Sequence, residues 1–154
     1  MTNITLLDYS ESEPGMSWVV ADARRLPFKD RSIDVVFCNS VIEHVETFDS
    51  QRILANECRR VGRRYWVQTP NREFPVEPHL MTPFIHWLPR KMQRRLLRNF
   101  TLWGLWSRPT QERCDRFMRE VRLIDNAEMH QLFPEAEIWH ERILGLTKSL
   151  VAIK

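Results

Sequence analysis

The sequence predicts an α/β fold: a mostly parallel sheet that ends in an antiparallel strand pair and is interrupted by a helical insertion. Three observations carry this. Two short apolar runs, residues 18–21 and 33–38, are rich in β-branched and aromatic residues and are bounded by polar or turn residues, the pattern of strands buried in a parallel sheet. An amphipathic helical pattern over 48–61 leads into another strand-like run at 65–68. Residues 137–143 and 149–153 then read as two closing strands joined through Gly145, a connection that implies an antiparallel pair.

Bulk properties agree with one such domain spanning 1–154. A chain of 154 residues, 43% hydrophobic and 28% charged, is long enough for one core. The formal net charge of +3 is a weak pointer to an anionic partner. Cys38, Cys58 and Cys114 are odd in number, widely spaced and without a CxxC pair, so they suit a reducing compartment better than a disulfide framework or zinc site. No apolar run reaches the length of a transmembrane helix, and the N-terminus has neither the basic leader nor the apolar core of a signal peptide. The expectation is a cytoplasmic protein.

Taken in order, residues 4–7 form a strand-like run that ends at Asp8. An acidic side chain there can accept from both hydroxyls of a ribose, or can simply begin a turn. Residues 10–15 are polar and close on a Pro-Gly turn. The run 18–21 ends at Asp22-Ala23, and Leu26-Pro27-Phe28 makes a hydrophobic plug behind it. The run 33–38 ends at Asn39 and Ser40, the strand-end positions where open α/β sheets hold ligands. Val41-Ile42-Glu43-His44-Val45 follows.

The pattern D-A-x-x-L-P-F-x-D-x-S-I-D-V-V-x-x-x-x-V-I-E-H-V, from Asp22 to Val45, resembles the central segment of class I S-adenosylmethionine-dependent methyltransferases of the type 11-like branch. That resemblance implies a Rossmann-like class I methyltransferase sheet with S-adenosyl-L-methionine as cofactor. It implies that Asp8 closes the second family strand and binds ribose. It also implies that Asp22 accepts from the adenine amino group, that the backbone at Ala23 meets the adenine ring, and that Asn39 and Ser40 line the methionine end. Glu43 and His44 would lie near the acceptor, with His44 either a general base or a helix-start residue bonded to backbone. Some relatives bind a divalent metal through E-x-x-E-H, but Ser40 stands at the first position here, so no metal is predicted. The family's first strand, with its glycine-rich turn, is not found among the four glycines Gly15, Gly62, Gly104 and Gly145. The sheet is therefore expected to be incomplete at its first strand, as in the C-terminal portion of a longer, truncated methyltransferase.

Beyond the helix at 48–61, Gly62 is a natural stop. The basic residues Arg59, Arg60, Arg63 and Arg64 suit the negative end of the helix dipole. Thr69-Pro70-Asn71 ends the next strand, and Asn71 either faces the site mouth or forms the turn. Residues 72–122 exceed a plain connection and read as a helical cap insertion. Within it, Thr82-Pro83 and Pro89 are helix starts. Ile85, Leu88, Met92, Leu96, Phe100 and Trp103 make an apolar stripe, and Arg90, Arg94 and Arg98 a basic one.

With Trp87, Trp103 and Trp106, this segment reads either as a helix packed on the sheet or as peripheral membrane contact through 82–106. Nucleic acid is a third reading, without an RNA-binding motif to accompany it. Glu77, His79 and His86 carry ionisable groups near the expected pocket mouth and are candidates, with Asn71, for binding the acceptor. A short helix with Asp125 as cap precedes the closing strands.

Two functions follow. One is a methyltransferase acting on a small-molecule or lipid-linked acceptor, anionic or amphipathic in character. The other is a non-catalytic, partner-binding module of the same scaffold without a working cofactor site.

Overall fold

The computed structural model describes residues 19–154. The expected strand at 4–7, the turn at 10–15, Asp8 and Trp18 lie outside the described residues. Of the run 18–21, what is seen is a single β-bridge at Val20, which is 74% exposed, and not a regular strand.

The first strand, β1 (Ile33–Asn39), is followed by a 3-10 helix at Ile42–His44 and then by α1 (Phe48–Val61). Thr47 caps α1 by accepting from Ser50 N–H at 3.1 Å. Gln51, Leu54, Ala55, Cys58 and Val61 recur at helical spacing on its buried face. The chain then turns directly into β2 (Gly62–Pro70). Gly62 ends the helix at φ −85°, not in the left-handed cap that its type suggests. A side chain is excluded there for steric reasons: an added Cβ would lie 2.7 Å from Arg64 O, 2.9 Å from Cys58 O and 2.9 Å from Val36 Cγ2.

The segment 72–122 holds a two-stranded ribbon, β3 (Val76–Glu77) and β4 (Thr82–Pro83), then a 3-10 turn at Ile85–Trp87. Three helices follow: α2 (Arg90–Phe100), α3 (Leu102–Ser107) and α4 (Gln111–Glu120). Thr82-Pro83 is thus strand rather than a helix start, whereas Pro89 does precede a helix. The segment has its own small core, in which buried Leu80, Ile85, Leu97 and Cys114 pack with Leu88, Leu96, Trp103 and Phe117. The expected apolar stripe is therefore split. Met92 and Phe100 are exposed, and Leu97, outside the stripe, is the helix's anchor. Arg94 turns toward α4 and pairs with Asp115, at 2.6 and 2.9 Å.

The chain closes with α5 (Asn126–Leu132), β5 (Glu137–Ile143) and β6 (Leu146–Ile153). Asp125 and Glu128 form a reciprocal capping box at the start of α5. Leu144 and Gly145, at φ 49° and 81°, make the two-residue turn between β5 and β6. Positive φ at both positions is what a type I′ hairpin requires.

The main sheet has the order β1-β2-β6-β5, with β1 parallel to β2 and the other pairs antiparallel. The antiparallel ending thus stands as expected. One face is covered by α1 and α5. Cys38, Tyr65, Val67, Leu150 and Ala152 point into it and meet Leu54, Met129 and Phe133. The run 33–38 does not form a strand buried on both faces, because its alternate residues Val35 and Phe37 are 56% and 65% exposed. Register pairs Phe37 with Trp66 and Val151 with Trp139, so these rings line the second face, which no helix among the described residues covers.

Candidate functional site

At the first expected cofactor position, Asp22 is engaged by its own neighbour. Its carboxylate accepts from Arg24 N–H at 2.9 Å, Nε–H at 3.0 Å and Nη2–H at 2.6 Å. These bonds hold the Asp22 carboxyl below its ordinary range. Arg24 thereby takes up most of the acceptor capacity of this carboxylate. Ala23 is buried in the main core.

The Leu26–Phe28 plug behind Asp22 is fastened to α1. Leu26 N–H donates to Glu57 at 2.7 Å, while Arg60 donates to Leu26 O at 3.1 Å and Phe28 O at 2.8 Å. Arg60, read from sequence as a helix-end charge, in fact shapes this loop.

At the end of β1, Asn39 pairs in register with Gln68. Ser40, at φ 52°, donates its backbone N–H to Gln68 O at 3.1 Å and its hydroxyl to Gln68 Oε1 at 3.0 Å. Asn39 and Ser40 line an open cavity of about 750 Å³ on this second face of the sheet, together with Trp66, Gln68 and Trp139. Trp66 and Gln68 were not foreseen. The signal for them was the alternation of β2, which sends every second residue to this face.

The next turn carries a second group. Glu43 sits on the 3-10 helix and is fully buried. Its Oε2 accepts from Thr69 Oγ1–H at 3.0 Å, and its Oε1 is buried without a hydrogen-bond partner. Burial raises the Glu43 pKa, against the smaller pull of its hydrogen bonds. His44, beside it, is half-buried, and burial lowers its pKa with help from the neighbouring His79.

The ring of His79 stands edge-on to His44, centroids 5.1 Å apart. His79 Nδ1 lies 2.7 Å from Glu77 Oε1, and Glu77 is itself buried, with Oε2 accepting from Leu80 N–H. Burial opposes charge on His79, but the hydrogen bond and charge of Glu77, with the charge of Glu43, outweigh it and raise the pKa. The fold thus brings Glu43 and His44 of the scaffold together with Glu77 and His79 of the 72–122 segment.

Two further candidates are placed elsewhere. Asn71 is buried, donating to Thr147 O at 3.0 Å and accepting from Glu73 N–H at 3.1 Å, so both ends of its amide serve the turn. His86 donates from Nε2 to Arg72 O at 2.9 Å, and burial lowers its pKa. It borders a cleft of about 180 Å³ with Glu77, Arg72, Arg90 and Phe117.

A residue that the sequence reading passed over holds this region together. Gln51 of α1 is fully buried and donates to Ile42 O at 3.1 Å and to Arg122 O at 2.8 Å. Arg122 returns a bond to Gln51 Oε1 at 2.8 Å, and its backbone N–H donates to Glu43 O at 2.7 Å. A polar residue on the apolar face of α1 was the available sign.

Comparison with known proteins bears on what this site belongs to. None of the curated proteins matches. A SAM-dependent methyltransferase from Methanosarcina mazei, known from its crystal structure, aligns at 15% identity with a TM-score of 0.47, over 88% of this chain and 64% of its own. This chain therefore spans less than two thirds of that protein. Residues 2–64 match the family model described as a methyltransferase domain, a stretch that takes in Asp8, Asp22, Asn39, Ser40, Glu43 and His44. Over that segment, about two fifths of its length, the chain is similar to methyltransferase domains.

Proposed function

We propose that the chain acts as an S-adenosylmethionine-dependent methyltransferase on an amphipathic or lipid-linked acceptor at an anionic membrane surface. The cofactor supplies an electrophilic methyl group. The cavity at Asn39 and Ser40, about 750 Å³, has room for a nucleoside-containing ligand, with Trp66 and Trp139 as apolar lining and Asn39, Ser40 and Gln68 as polar groups. Asp8 and Asp22 would hold the nucleoside. Asn39 and Ser40 would orient the methionine end. Glu43 and His44 would border the acceptor, with His44, its pKa lowered, available to take a proton from an acceptor hydroxyl. Residues 72–122 would form the cap, with Glu77 and His79 on its acceptor side. Rate would come from holding the reacting atoms in register and away from water.

The observation that carries the acceptor class is the exposed surface of α2 and α3. Phe100, Leu102 and Leu105 are 69%, 56% and 59% exposed and Trp106 is 92% exposed. Met81 belongs to the same surface, since Leu102 N–H bonds to Thr82 Oγ1 next to it. Lys91, Arg95 and Arg98 are exposed on α2 beside Met92. Large apolar tips flanked by basic side chains match the chemistry of an anionic lipid interface, rings entering the acyl boundary and cations meeting headgroups. No helix among the described residues is long and apolar enough to cross a membrane, so contact of this kind would be peripheral. The reading places the protein on the cytoplasmic side, where its cysteines stay reduced.

Sedimentation with vesicles of phosphatidylcholine, with and without phosphatidylserine, tests this. Binding should need the anionic lipid and fall with salt. Trp106→Ala should weaken it about tenfold, since an aromatic side chain's burial is worth roughly 1.5 kcal/mol or more. Absence of salt-sensitive binding would remove the membrane reading.

A second reading, the partner-binding module, is favoured by the open sheet face, where Phe37 and Trp66 stack at 4.6 Å and Trp139 is 58% exposed. Cofactor titration separates the two.

A further inference from the structure

We propose that Glu43, His44 and His79 form a binding site for a divalent transition-metal ion of the zinc class, which fastens the 72–122 segment to the end of the sheet. One ligand atom from each lies within 4.8 Å of the others. Ligands at about 2.1 Å from a tetrahedral ion are roughly 3.4 Å apart, so the set would have to draw in by about 1.4 Å at most.

Three features make this more than a chance meeting of polar groups. Glu43 Oε1 is fully buried and has no hydrogen-bond partner, a costly arrangement that an ion would relieve. Its other oxygen is fixed by Thr69 at 3.0 Å, which orients the carboxylate. Glu77 Oε1 lies 2.7 Å from His79 Nδ1; donation from Nδ1–H fixes the tautomer and leaves the Nε2 lone pair for an ion, the carboxylate–histidine–metal arrangement.

Two imidazole nitrogens and one carboxylate oxygen are a donor set that suits zinc and leaves a fourth position for water or an acceptor oxygen. The ligands come from two places in the chain, the 3-10 helix after β1 and the turn between β3 and β4. The third ligand, His79, lies 35 residues after His44, outside any local spacing, which is why the sequence alone, with Ser40 in place of a glutamate, pointed to no metal.

Chelator-stripped protein titrated with Zn²⁺ by calorimetry tests the site. One equivalent should bind and raise the melting temperature. His44→Gln and His79→Gln should each weaken binding more than tenfold, and Glu77→Gln about tenfold, whereas His140→Gln on exposed β5 should not. With Co²⁺ as probe, visible d–d bands of a four-coordinate ion should appear without a thiolate charge-transfer band. That spectrum also keeps the proposal open to refutation if His79→Gln fails to fold. No stoichiometric binding, equal binding by the His44 and His79 variants, or a thiolate band from Cys38 or Cys58 would overturn the proposal.

Discussion

Replacing Gln51 with alanine should cost the fold about 3 kcal/mol, more than any exposed substitution on the same helix. The side chain is fully buried and its amide meets three groups: Ile42 O, Arg122 O and the Arg122 guanidinium. Truncation leaves Arg122 O short of a donor, at about 1–3 kcal/mol if nothing replaces it, and takes one of two donors from Ile42 O, which keeps Val45 N–H at 3.3 Å. It also opens a hole beside Leu54 and Ile42 that the helix cannot fully close. Arg122 keeps Glu128 and the face of the Phe48 ring, so its charge is not stranded and that part of the cost stays small. Urea unfolding followed by circular dichroism reads the difference as a shift in midpoint at constant slope. Arg52→Ala, which removes an exposed ion pair with Asp49, is the control and should change little. A loss below about 1 kcal/mol for Gln51→Ala would show that water or repacking satisfies these carbonyls, and would refute the account of Gln51 as the joint between α1 and the returning chain.

Two other outcomes follow from the same geometry. Glu43 has a pKa raised by burial, so its contribution to stability is fully present below the ordinary glutamate range and is lost as pH rises through the folded-state value. In chelator-containing buffer, Glu43→Gln should therefore gain stability relative to the parent as pH rises above the ordinary glutamate range, and parallel thermal melts would contradict the burial argument. Gly62→Ala should destabilise by roughly 2 kcal/mol, because the new Cβ would meet two backbone oxygens as well as Val36; an unchanged urea midpoint would show that the α1–β2 junction relaxes freely.

Much of the scaffold was legible because it follows local rules. The spacing of Leu54, Cys58 and Val61 marked α1, Asp125 was legible as the cap of α5, and Gly145 marked the hairpin. The segment 72–122 was less legible. Thr82-Pro83 looks like a helix start but pairs with Val76-Glu77, because a two-residue ribbon depends on partners that local propensity does not encode. The periodic stripe from Ile85 to Trp103 assumed a single continuous helix. The backbone breaks at Leu88–Pro89 and again at Thr101, so Met92 and Phe100 rotate to the outside while Leu97 goes in.

The site divided along the same line. Glu43 and His44 stood out in a contiguous motif, and Asn39 and Ser40 as residues at a strand end. The approach of His79 to Glu43, and the roles of Gln51, Thr69 and Arg122, are tertiary facts between residues far apart in the chain. The bare sheet face was missed because a short apolar run cannot say how many of its faces are covered.

Isothermal titration of the chain with S-adenosylhomocysteine bears most directly on the methyltransferase reading. The account predicts one saturable site, with affinity reduced about tenfold by Asp22→Ala through loss of one good hydrogen-bond acceptor. A folded chain that takes up no S-adenosylhomocysteine would contradict the cofactor site and leave the partner-binding module standing. Binding that ignores Asp22→Ala would contradict the adenine assignment.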